Sequence, residues 1–235
     1  MLRFAALLVA VSGCTISAKD YGRQLLDDAS VSNAQSNAFR CTTCHELTAT
    51  PAHIRPGYTL QDVVNRASWW GGFEITLLDS INQCVVNFMR GQPLQPGDEQ
   101  ARSILVYLES ISPDASAPAR PITIVQNIVD VPSGDPAMGK QIYDDGCANC
   151  HGAPHTGKGR ISDKASLVPD DSISAHGTDP VMGARPVVIE KTRHGKFFMV
   201  GGNMAPYSLE VLTDAQLGAL LGYLEQFGLP PSVSP

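Results

Sequence analysis

The chain has 235 residues, is 43% hydrophobic but only 6% aromatic, and carries a formal net charge of −6 at pH 7. Its length suits one large domain or two small ones, and an acidic balance without a basic cluster excludes nucleic acid as a partner, because phosphate binding needs a basic footprint. The aromatic content is thin for two independent small cores, so a large bound apolar group would supply missing core volume.

In chain order, the first stretch is MLRFAALLVAVSGC, with Arg3 as a positive start and a short apolar run from Phe4 to Val11. This is the pattern of a signal peptide, too short to span a bilayer as a helix. Val11-Ser12-Gly13-Cys14 resembles a bacterial lipobox, which implies cleavage before Cys14 and lipid attached to its sulfur. The competing reading is an ordinary signal peptide that takes Cys14 with it. Residues 1–18 are thus read as signal peptide, lipobox and the start of a tether. The expected location is the periplasm or cell envelope, with a membrane tether through Cys14 alone.

A helical segment follows at Lys19 to Ser30, and about a dozen loop residues later comes CTTCH at 41–45. Beyond a Pro- and Gly-rich loop lies the pair Trp69-Trp70, whose rings are expected either to line a pocket or to sit in the core. The apolar segment from Phe73 to Met89 reads as a helix carrying Cys84 and Met89. On such a helix these two are about 500° apart, near 140° after one full turn, so they do not share a face. GDEQARSILVYLESIS places Ala101, Ile104, Leu105 and Leu108 on one helical face. The stretch 114–134, rich in Pro, Ala and Ser, reads as a linker whose more apolar second part packs.

The plan then repeats. A helix from Asp135 to Gly146 runs straight into CANCH at 147–151. The final helix, TDAQLGALLGYLEQFG, aligns Leu217, Leu220, Leu221 and Leu224, with Thr213 and Gln216 as a capping box and Gly228 and Pro230 as the stop. LVYLE and LGYLE share a register that pairs Tyr107 with Tyr223. Neither half shows long strand-like alternation. The expected fold is all-α, with two tandem domains, 19–113 and 135–230, joined end to end by the linker 114–134.

Cys-x-x-Cys-His is the covalent attachment signature of c-type haem. Two thiols three positions apart reach the two vinyl groups of one porphyrin, and the adjacent His offers an imidazole to the iron. Cys41, Cys44 and His45 would hold one haem; Cys147, Cys150 and His151 would hold a second. A thioredoxin-like pair would need a βαβ context. A zinc site would need both pairs to converge. A plain disulfide does not explain a His after both pairs. Two covalent haems is therefore the preferred reading.

Each half resembles a class I cytochrome c domain: N-terminal helix, CxxCH, irregular loops, a sixth ligand and a C-terminal helix. In the second half GDPAMGKQIYDDGCANCHG resembles the family's approach to the haem and GGNMAPYS its methionine loop. The resemblance implies Met204 as the axial partner of His151, with Met182, Met199, Lys196 and His194 as alternatives. His/Met ligation favours Fe(II) and raises the potential.

In the first half, INQC followed by FMRG resembles a segment of dihaem thiosulfate dehydrogenases and related sulfur-oxidising cytochromes. That resemblance implies Cys84 as the axial partner of His45, with Met89 packed beside it. The residues by themselves leave Met89 as the ligand, or Cys84 as a buried thiol, also open. Thiolate ligation would hold this haem at a much lower potential. RPGYTLQDVVNRASWWGGFEITLLD departs from that family.

The expected function is one-electron transfer between redox partner proteins of the envelope. The competing expectation is an enzyme similar to thiosulfate dehydrogenase, which would need a cationic pocket from Arg40, Arg55, Arg66 and Arg90. His53, His155 and His176 are expected to face solvent from loops.

Overall fold

The computed structural model describes residues 16–49, 53–126, 130–198 and 202–233. The apolar N-terminal stretch read as a signal peptide and Cys14 lie outside them, as does Met199. Among the described residues the regular structure is helical, with one isolated antiparallel bridge between Trp69 and Glu74. No helix there is long and apolar enough to cross a membrane.

Two helix pairs frame the molecule. Helix α1 (Ala18–Leu26) starts at Ser17, whose side chain accepts from Asp20 N–H, and is followed by a 3-10 turn at Ala29–Ser32. The short helix α2 (Cys41–Cys44) holds the first cysteine pair, and α3 (Leu77–Asn87) is capped by Thr76. Helix α4 (Glu99–Ser110) returns to pack across α1. Ala101, Ile104 and Leu108 are buried there as their spacing requires, while Leu105 is half-buried.

The second half repeats the crossing. Helix α5 (Pro136–Ile142) passes through a wide π-type turn at Tyr143–Cys147 into α6 (Ala148–His151), with no loop between. Helices α7 (Asp170–His176) and α8 (Ala184–His194) follow. Helix α9 (Asp214–Glu225), with the Thr213–Gln216 capping box in place, packs across α5. Leu217, Leu220, Leu221 and Leu224 are all buried in the second core.

Both crossings turn on a glycine. A Cβ on Gly22 would lie 1.9 Å from Ser103 O and 2.9 Å from Tyr107 Cβ; one on Gly139 would lie 1.9 Å from Ala219 O and 2.8 Å from Tyr223 Cβ. The two backbones approach too closely for any side chain at that point. This explains why Ser103, a polar residue, is buried.

The halves are more than joined end to end. Linker residues 121–125 run as a strap between them. Tyr58 Oη donates to Pro121 O at 2.7 Å, Thr123 N–H and hydroxyl donate to Glu210, and Leu209 N–H donates to Thr123 O at 3.2 Å. His194 Nε2 lies 2.6 Å from Val125 O. The far end of the linker is anchored by Arg185, fully buried on α8. Its guanidinium donates to Asp130 at 2.9 Å, Glu225 at 2.8 Å, Val131 O at 2.6 Å and Pro230 O at 3.0 Å.

Candidate haem sites

Around the first cysteine pair the chain forms a deep, mainly apolar cavity. Cys41, Cys44 and His45 line it, as do Cys84, Met89, Trp69 and Trp70. Helix α3 supplies Cys84. That helix ends at Asn87, and the N–H groups of Phe88 and Met89 both return to Cys84 O, each at 3.1 Å. Met89 therefore lies past the helical register and also reaches the cavity, although the two residues would sit on different faces of a continuous helix. Met89 is only 3% exposed and packs in the first core beside Val85 and Leu94. Trp69 and Trp70 both turn to the cavity. Their indole N–H groups donate to Val63 O at 3.0 Å and Ser80 O at 3.2 Å, and the Trp70 ring stacks on Phe88.

His45 is held by the loop that follows it. Its Nδ1 lies 2.6 Å from Tyr58 O. A carbonyl only accepts, so Nδ1 carries the proton and Nε2 keeps its lone pair. Gly57 lies so close to the imidazole that a Cβ would sit 2.2 Å from it. Burial holds the His45 pKa below the ordinary value, against the pull of the Tyr58 carbonyl, so the ring is neutral at pH 7. His151 repeats the arrangement, with Nδ1 at 2.9 Å from Ser166 O and burial lowering its pKa. A backbone carbonyl that fixes one ring nitrogen orients the other for metal ligation. Gly57 and Tyr58 were not singled out in the sequence and lie in the stretch that departs from the resembled family.

All five described cysteines are free thiols. Burial pushes Cys84 up to about 12 and Cys147 to about 12, while Cys41 rises to about 11, burial again the main cause. Among the described residues no group of three or more His, Cys, Asp or Glu side chains converges as a zinc site would need.

Of the four arginines considered for a cationic pocket, Arg40 and Arg66 line the cavity, joined by Arg120 from the linker, which the sequence did not single out. Arg66 is 8% exposed. It donates to Thr59 O at 2.8 Å and Gln61 O at 3.0 Å, and its Nε is buried without a protein partner. Arg66 and Arg120 lie beside the loop that supports His45, Arg120 over the Tyr58 ring. Arg55 turns instead toward the second cysteine pair, and Arg90 does not line the cavity.

In the second half Cys147 and Met204 both pack against the second core. The methionine loop is fixed by Lys196 N–H, which donates to Met204 O at 2.7 Å, and by Gly195, where a Cβ would lie 2.4 Å from that oxygen. The alternatives to Met204 are placed elsewhere. Met182 is 81% exposed. Both His194 ring nitrogens are engaged, by Val125 O and by Glu190. Lys196 Nζ donates to Asn87. His53 and His155 are half-exposed against Glu46 and Asp170, and His176 is exposed, though at the end of α7 and not in a loop.

A model of the cytochrome c family matches residues 136–227. That segment runs from α5 through α9 and matches as a cytochrome c domain, a domain type that implies covalently bound c-type haem. Among solved structures, the thiosulfate dehydrogenase (TsdBA) of Marichromatium purpuratum in its as-isolated form is similar at a TM-score of 0.42 and 14% identity, over 88% of this chain and 45% of that one. The chain thus spans less than half the length of that protein. No curated protein matches it.

The residues present fit haem. Each CxxCH offers two free thiols and an imidazole with Nε2 available. The first cavity adds two further sulfur side chains and, in Arg66 Nε, a buried donor suited to a carboxylate. When bound, the group would supply a reversible one-electron change at its iron.

Proposed function

We propose that the chain is a dihaem c-type cytochrome that transfers single electrons between redox partner proteins in the bacterial envelope. In this reading both halves are cytochrome c-like domains. Cys41, Cys44, Cys147 and Cys150 attach the haems, and His45 and His151 are axial ligands. Cys84 completes the first site and Met204 the second. The observation that carries the reading is the repeated support of the two histidines, each with Nδ1 on a backbone carbonyl directly after a Cys-x-x-Cys turn.

Ligation of the first haem is tested by a redox titration followed by low-temperature EPR. With Cys84 as ligand, that haem shows a low-spin thiolate signature and titrates far below the second. Cys84→Met raises its midpoint by on the order of 0.1 V, because a neutral thioether replaces an anionic sulfur, and Met89→Ala leaves the ligation unchanged. A high-spin shift in Met89→Ala, with no effect from Cys84→Ser, would hand the role to Met89.

The second reading, an enzyme similar to thiosulfate dehydrogenase, is favoured by Cys84 opening into the same cavity as His45. The nearby cations count less, since Arg66 is committed to the loop beside His45. Thiosulfate oxidation by the purified protein would support this reading, and its absence would leave the carrier. Lipid attachment at Cys14 is part of the envelope proposal. Cys14→Ala is expected to move the protein from the membrane to the soluble periplasmic fraction, and unchanged retention would count against the tether.

A further inference from the structure

The loop after the first Cys-x-x-Cys-His turn docks on the second one. Ile54 packs against the second core, which Cys147 also borders, and a Cβ on Gly146 would lie 3.4 Å from Ile54 O. Arg55 comes next, with a side chain only 19% exposed. Its Nε donates to Glu46 Oε1 at 3.1 Å, and Glu46 directly follows His45. The far end of the guanidinium donates to Asp145 O at 3.3 Å. The Asn149 carboxamide lies against the same end of the guanidinium. Asp145 lies two residues before Cys147, and Asn149 lies between the two cysteines of the second pair. One rigid fork therefore joins both attachment turns. Tyr207 Oη buttresses the same junction by donating to Gly146 O at 2.6 Å.

We propose that Arg55 is a positioning residue shared by two redox centres: it fixes the separation of the attachment turns and places one positive charge beside both, raising the two midpoints together. This rests on the dihaem reading. A fixed cation in a partly buried site stabilises the more electron-rich member of any redox pair near it, and burial weakens its screening. Guanidinium suits the role because its charge is permanent and its donors lie in a planar fork that a lysine lacks. Its ion pair with Glu46 is lopsided. The carboxylate belongs to the first turn, while the other end of the guanidinium meets only neutral groups of the second.

The test is a spectroelectrochemical titration of the haem-loaded protein and its variants, with the haem content of each confirmed by intact mass. In Arg55→Gln both midpoints fall. Arg55→Lys, which keeps the charge without the fork, recovers part of the fall at both. Arg120→Gln, which removes a cation from the first cavity only, shifts the first midpoint alone. Glu46→Gln, which removes the opposing charge of the same pair, raises both and serves where Arg55→Gln does not fold. Two haems with one or neither midpoint moved by Arg55→Gln would overturn the proposal and leave the dihaem reading intact. Unchanged midpoints in Glu46→Gln would overturn it equally. A single haem in the wild-type chain would instead remove the reading on which it stands.

Discussion

Gly22 and Gly139 show how much of the architecture rests on one missing side chain. Each lets two helices cross at a distance that any Cβ would violate, with backbone carbonyl oxygens 1.9 Å from the position that atom would take. Relief requires a shift of the helix itself, because the obstructing atom is main chain and cannot rotate away. Gly22→Ala and Gly139→Ala should each lower the stability of the haem-loaded protein by about 1–3 kcal/mol, read as an earlier chemical-denaturation midpoint. An unchanged midpoint in either would show that the crossing has slack. The sequence displayed the apolar faces of α4 and α9, since periodicity records which side chains are buried. It did not display the crossing point, because a glycine leaves no hydrophobic signal. The same limit hid Ser103. At the first cavity, Cys84 and Met89 were both legible as candidates. Their shared access was not, since it depends on where α3 stops and on the return of two N–H groups to Cys84 O.

At the scale of elements, the linker is the part that pattern reading describes least well. Its composition marked it as irregular, and its apolar second part suggested packing, yet Ile122 and Ile124 line the first cavity together with Pro206 and Val211 of the second half. The partners that place it there are tens of residues away in sequence, so no local motif announces them. Its anchor is electrostatic. Burial alone would raise the Asp130 pKa, but hydrogen bonds from Ser232, Arg185 and Val131 N–H bring it down from an ordinary 3.8 to about 2. A carboxylate depressed by folding contributes stability that is complete above its unfolded pKa and is lost as pH falls through the folded one. The second half should therefore lose thermal stability between about pH 4 and pH 2, and Asp130→Asn should flatten that part of the profile at the cost of lower stability at pH 7. A wild-type midpoint that stays constant across this window would contradict the anchor.

At the scale of the whole molecule, the internal repeat is the organising fact. Two helix crossings, two Cys-x-x-Cys turns and two carbonyl-supported histidines recur in the same order. Both CxxCH motifs were legible because the proposed haem attachment dictates their spacing. The contact between them was not, since it depends on how Ile54 and Arg55 meet the turn around Gly146. The second copy matches the cytochrome c family over residues 136–227. The first has the same helix crossing and a Cys-x-x-Cys turn, with a cavity lined by Cys84, the Trp69-Trp70 pair and residues of the linker. If both copies serve the same chemistry, both must bind haem covalently, each through two thioethers. The most direct test is the intact mass of the mature protein, expressed with a complete haem-maturation system and measured under denaturing conditions. The expected mass is that of the chain plus two haems, falling to one in Cys41→Ala/Cys44→Ala and to one in Cys147→Ala/Cys150→Ala. A wild-type chain carrying a single haem would contradict it.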